Sequence, residues 1–111
     1  MAAADAFGRD PARLDLAAAA VKDRGGTPRL ALVCNTDSER LSTLLRRFDA
    51  EAPVDLFIAN AGVKTGNRNG VEPPGQTARV IDVNLLGTIN GINALLPPMR
   101  ERGCGTIAII G

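Results

Sequence analysis

Apolar residues along this chain switch between two rhythms. Leu14, Ala17, Ala18 and Val21 recur at helical spacing. Asp10 precedes them as a good N-cap, Pro11 takes the first helical position where its missing N–H costs nothing, and Gly25 follows as a stop, so a helix over 11–24 is predicted. RLALVC at 29–34 is instead a continuous apolar run after Gly-Gly-Thr-Pro, the pattern of a strand covered on both faces. Helical rhythm returns in Leu41, Leu44, Leu45, Phe48 and Ala52, with Thr36 and Glu39 spaced as a capping box and Pro53 closing the element. DLFIA at 55–59 is a second short buried strand.

Residues 60–75, NAGVKTGNRNGVEPPG, hold four Gly, two Pro and three Asn, the composition of a long loop, and long loops in compact domains are usually functional or mobile. From Gln76 to about Arg102, Val80, Val83, Leu86, Ile89, Ile92 and Leu96 restore the helical period. Gly87 and Gly91 weaken that helix by about 1 kcal/mol each relative to Ala, so a neighbour should demand small residues there. Pro97 and Pro98 remove two N–H donors and predict a kink or break. GTIAIIG at 105–111 is the last strand. Three full strands alternating with three helices imply an α/β fold with a doubly wound parallel sheet. A partial strand ahead of Asp10 is left open, since ADAF supplies few suitable residues.

Composition narrows the picture. The 111 residues are 45% hydrophobic and 23% charged with a net charge of +1, the balance of one ordinary domain. Without clustered Lys and Arg, neither a nucleic-acid nor an anionic-membrane surface is expected. LAAAAV at 16–21 is too short to span a bilayer, and the N-terminus has no basic start followed by an apolar run, so no membrane partner is expected. Cys34 and Cys104 fit no metal spacing and the chain has no His, so no metal site and a pair of buried, reduced thiols in a cytoplasmic compartment are expected.

In open parallel sheets ligands sit beyond the carboxyl ends of the strands. That places Asn35, Thr36 and Asp37, then Asn60, Ala61 and Gly62, as candidates, although turn chemistry explains the same residue types. There is no GxGxxG, GVKTG at 62–66 lacks the spacing of a P-loop, and neither His nor Tyr exists. The carboxylates suit capping and solvation.

Five segments carry a resemblance: GRDPARL at 8–14, LVCNTDSERL at 32–41, DLFIANAGV, VIDVNLLGT, and LLPPMRERGCGTIAIIG, in order and over almost the whole chain. Together they resemble the central part of the short-chain dehydrogenase/reductase family, which transfers hydride between carbonyls and alcohols using NAD or NADP on a Rossmann fold. The resemblance implies that Asn60, Ala61 and Gly62 line the cofactor crevice, with Ala59 replacing a family Asn. It implies that Asn84 is the helical Asn of the catalytic tetrad, where the helix opens to hold a water. Arg9 matches the basic residue that pairs with the adenosine phosphate in NADP-preferring members, which favours NADP over NAD. Asn35 stands where many members use Asp toward the adenine amino group.

The resemblance also implies what residues 1–111 lack: the N-terminal strand with its glycine-rich turn, and the C-terminal half with the catalytic Ser and Tyr-x-x-x-Lys. In the family strand order 3-2-1-4-5-6-7, the strands at 29–34 and 55–59 are separated by two others, so a partial NAD(P)-binding domain over 1–111 would leave a hole, non-native pairing or an edge that seeks another chain. The expectation is a piece of an oxidoreductase that is inactive and binds cofactor poorly as 111 residues. The alternative is a non-catalytic Rossmann-like partner docking as a homo-oligomer through the helix at 76–102. The substrate pocket is not represented.

Overall fold

The computed structural model describes residues 3–63, 70–71 and 73–110. Strand β1 (Ala3–Gly8) leads into helix α1 (Pro11–Asp23), β2 (Thr27–Leu32), α2 (Ser38–Glu51) and β3 (Leu56–Ala59). Then α3 (Pro74–Ile81), a π-helical turn (Asp82–Leu86) and α4 (Gly87–Arg102) run as one 29-residue helix before β4 (Thr106–Ile109). The residues expected to form the long loop at 64–69 and 72 lie outside the described part, as does Gly111.

The alternation of helices and parallel strands stands, with one addition: β1 joins the three expected strands. It pairs parallel with β2 from Ala3 opposite Thr27 to Gly8 opposite Leu32, so even a short Ala-rich segment is held once a neighbour supplies the ladder. A salt bridge fixes this register, because Arg29 on β2 binds the Asp5 carboxylate on β1. The same guanidinium reaches Glu51 and stacks 4.9 Å above the Phe48 ring, tying α2 to the pair. β3 pairs parallel with β4, Leu56 opposite Thr106 to Ala59 opposite Ile109.

The two pairs do not join; β2 and β3 do not pair, and a cleft lies between β1 and β3. Phe7 and Phe57 lean across, their rings stacked at 6.5 Å and 5°.

One face of both pairs carries the core. Leu41, Leu45 and Phe48 of α2 meet Ala94, Leu95 and Met99 of α4, with Phe57, Ala59 and Val33 beneath. Leu41 and Leu95 are fully enclosed, so truncating either to Ala would cost about 2–5 kcal/mol. Arg102 closes the far end, donating to the Asp49 carboxylate and the Val54 carbonyl, each at 2.9 Å. On the opposite face α1 covers β1 and β2, burying Leu14 and half-burying Ala17, Ala18 and Val21, while Leu56 and Ile58 of β3 stay exposed. The expectation that both short strand runs are covered on two faces is thus corrected: Leu32, at 55% exposure, lies on an outer strand, and β3 has a helix on one face only.

Local details differ from the sequence patterns for identifiable reasons. Asp10 caps α1, accepting from Ala12 N–H at 3.0 Å, and Gly25 ends it at φ 81°. For α2 the cap is Asp37, accepting from Arg40 N–H at 3.1 Å, while the Thr36 hydroxyl engages Cys34 Sγ at 2.9 Å, so the expected Thr36–Glu39 box does not form. No break occurs at Pro97 and Pro98, because Leu95 and Met99 are buried on either side and hold α4 to the core. The demand for small residues in that helix is met by contacts: a Cβ on Gly91 would lie 2.5 Å from Phe57 Cζ, and one on Gly87 would overlap the Asn35 amide, 2.8 Å even from its Oδ1.

Candidate functional site

A cleft of about 710 Å³ lies in the gap between the strand pairs and opens where β1 and β3 end. Its walls follow from strand alternation. Val33 N–H donates to Gly8 O, so the main-chain groups of Gly8 face β2, and those of Asp5 and Phe7 turn toward the cleft. Asp55 and Ala59 carbonyls accept from Thr106 and Ile110, so the main-chain groups of Leu56 and Ile58 turn toward it from the other side. The cleft is therefore bounded by parallel edges and floored by the Phe7–Phe57 stack.

Of the residues singled out by sequence, Arg9, Asn35, Asn60, Ala61 and Gly62 all line this cleft. Arg9 follows β1 and is exposed, held at the mouth because Asp10 begins α1 immediately after it. Asn60, Ala61 and Gly62 leave the end of β3, also exposed. Asn35 lies beyond β2 and is buried, its Nδ2 donating to Val83 O at 2.9 Å.

Asn84 does not line the cleft; it fixes a segment that does. It sits in the π-helical turn, an arrangement in which N–H groups bond five residues back, as Gly87 N–H does to Asp82 O. Its Oδ1 accepts from Val63 N–H at 2.8 Å and its Nδ2 donates to Val63 O at 3.1 Å, a two-point grip on the chain just past Gly62. Gly62 sits close under the carboxamide, a Cβ there lying 3.4 Å from Oδ1. The Asn84 carbonyl accepts from Thr88 Oγ1 at 2.8 Å.

Sequence patterns did not single out Val63, Thr88 or the two Phe rings. Their roles depend on tertiary placement; the local signal for Phe57 was Gly91, whose cost in a helix called for a close neighbour and against which that ring packs.

Cys34 is half-buried and Cys104 exposed, both free, which corrects the expectation of two buried thiols. The Thr36 hydroxyl, hydrogen-bonded to Cys34, holds its thiol below the ordinary range against the opposing effect of burial, and Arg9 adds to the lowering. Among the described residues no cluster of three or more His, Cys, Asp or Glu side chains could hold a metal ion. What the arrangement offers is a guanidinium, a polar Asn and a stretch of small residues converging on one cleft, chemistry suited to a phosphate-bearing, partly flat ligand.

The short chain dehydrogenase family model matches residues 2–111. Human 17-beta-hydroxysteroid dehydrogenase type 1 is 35% identical over 77 residues, covering 68% of this chain and 23% of that protein. The crystal structure of serine dehydrogenase from Escherichia coli superposes with a TM-score of 0.80 at 27% identity, covering 99% of this chain and 50% of that one. A 3-oxoacyl (acyl-carrier-protein) reductase from Agrobacterium tumefaciens, solved with NADP bound, gives a TM-score of 0.81 at 25% identity, covering 98% of this chain and 42% of that one. The chain thus spans half or less of the length of these relatives.

Proposed function

Because the chain belongs to the short-chain dehydrogenase family, we propose that residues 1–111 form part of an oxidoreductase that transfers hydride between a nicotinamide nucleotide and a carbonyl or alcohol. The observation that carries this reading is the convergence of Arg9, Asn35 and the Asn60–Gly62 segment on one cleft, with Asn84 gripping that segment from a π-helical turn. When bound, the nicotinamide ring supplies or accepts the hydride. The chain's own groups bind and orient. Arg9 presents a guanidinium fork to a phosphate, which favours NADP, as does the NADP in the Agrobacterium relative. Asn35 Oδ1 serves as acceptor for a base amino group, its nitrogen being engaged with Val83. Ala61 and Gly62 let a flat group approach the main chain. Asn84 keeps that stretch in place and stands beside the helix opening where a water would relay a proton.

Residues 1–111 contain no Tyr and no His, so no phenol or imidazole is there to hand a proton to a carbonyl near neutral pH. We therefore expect no turnover from these residues alone, and weak cofactor binding because they hold no GxGxxG turn to cradle a pyrophosphate. NADPH oxidation followed by absorbance with purified 111-residue protein and a panel of carbonyls tests this: a flat trace is expected, and steady turnover abolished by Asn84→Ala would overturn it.

A second reading, a non-catalytic partner that self-associates, is favoured by the exposed Ile81, Leu85, Ile89 and Leu96 along the long helix. That helix, Pro74–Arg102, is long and apolar enough to cross a membrane by length and composition, yet Gly91, Ala94, Leu95 and Met99 pack into the core. We read it as a core helix with an outer docking face in a cytoplasmic protein. Light scattering should show a dimer that Leu85→Lys with Ile89→Lys converts to monomer; a monomer at every concentration would sink this reading.

A further inference from the structure

Asn35 is the buried polar side chain of the described core, and a buried amide is costly unless its hydrogen bonds are made. Its Nδ2 donates to Val83 O at 2.9 Å, and the main-chain carbonyl of Asn35 accepts from Asn90 Nδ2 at 2.9 Å. These partners lie on either side of Gly87, where the absent side chain makes room for the amide. Val83 belongs to the π-helical turn, and Gly87 is the first residue past it. The carboxamide therefore occupies the place where the helix has been widened.

We propose that Asn35 is a positioning residue: it holds the widened turn in register and, through that turn, keeps the Asn84 carboxamide on the main chain of Val63. One inserted residue rotates everything beyond it by about 100° around the helix axis. Were the turn to relax into regular α-helix, either Asn84 would swing off Val63 or Gly87 would swing off Asn35. Both contacts hold together only with the insertion in place. The end of β2 is thus coupled to the segment leaving β3, although no hydrogen bond joins Asn35 to Asn84. The coupling rests on this geometry and stands whether or not the cleft binds a nucleotide.

Amide hydrogen exchange by NMR on the 111-residue chain tests it. Asn35→Asp keeps the shape of the side chain and removes the donor to Val83. Protection of the Val63 amide should fall roughly tenfold, the worth of one hydrogen bond of average strength, beyond any fall at Val33 and Thr106, whose amides bond to Gly8 and Asp55. Asn84→Ala should expose Val63 equally while leaving the Asn90 side-chain resonance unchanged. Gly87→Ala, which displaces the Asn35 amide without touching a hydrogen-bonding group, should reproduce the Val63 loss if Asn35→Asp does not fold. A Val63 amide that loses protection only in step with Val33 and Thr106, or that is unprotected in the parent chain, would overturn the proposal.

Discussion

Replacing Gly91 by Ala should destabilise the chain even though Ala is the better helix former. The added Cβ would lie 2.5 Å from Cζ and 2.9 Å from Cε1 of Phe57, a buried ring stacked on Phe7. Removing Gly from a helix interior gains about 1 kcal/mol. Forcing a methyl into a filled core costs about 1–3 kcal/mol, and displacing a stacked ring forfeits about 0.5–1.5 kcal/mol more. The net is a loss of about 2 kcal/mol, which at a urea slope of about 1.5 kcal/mol/M moves the unfolding midpoint down by roughly 1 M. Urea denaturation followed by circular dichroism reads this directly. The same substitution made together with Phe57→Leu should cost far less than in the parent, because the clashing atoms are gone. A Gly91→Ala midpoint equal to or above the parent's would show that Phe57 yields freely and that the ring does not bridge the strand pairs as described.

Other substitutions probe separate parts of the structure. Asp10→Ala removes the α1 cap and should cost about 1 kcal/mol in the same urea assay. Arg29→Lys keeps the charge but loses the planar fork shared by Asp5 and Glu51 and the stacking on Phe48, so the melting temperature should fall by about 4–8 °C for each kcal/mol lost. Burial acts to raise the Asp49 carboxyl, but hydrogen bonds from Arg102 and the Val54 N–H outweigh it and hold Asp49 below the ordinary carboxylate range. A lowered folded-state pKa gives stability that is present above the unfolded value of 3.8 and lost as pH falls through the folded one. Asp49→Asn should therefore flatten the acid limb of the stability profile below about pH 4, and an unchanged limb would refute this.

How far the sequence disclosed the molecule depends on the range of the forces involved. The α1 cap at Asp10, the stop at Gly25 and the helical face of α2 follow from neighbours within a few residues, and they were legible. β1 was not, because Ala3–Gly8 has little strand propensity of its own; its register comes from β2 and from Arg29 binding Asp5 across 24 residues. Pro97 and Pro98 do not break the helix, since long-range burial of Leu95 and Met99 holds it to the core despite the missing donors. In the site, Arg9, Asn35 and Asn60–Gly62 were legible as residues that follow strands, and the structure brings them to one cleft. An opened helix at Asn84 and a close neighbour at Gly87 were signalled, but their partners Val63 and Asn35 were hidden, because they lie far away along the chain and only the tertiary fold brings them there.

The most direct measurement is an NMR titration of the ¹⁵N-labelled 111-residue chain with NADPH. We expect weak binding, with shifts confined to the amides of Arg9, Asn35, Ala61, Gly62 and Val63 around the cleft, and with Arg9→Ala weakening NADPH more than NADH. Saturating shifts centred on the outer face of α2, or no shift at the cleft at any NADPH concentration reached, would contradict the assignment of this cleft to a nicotinamide nucleotide.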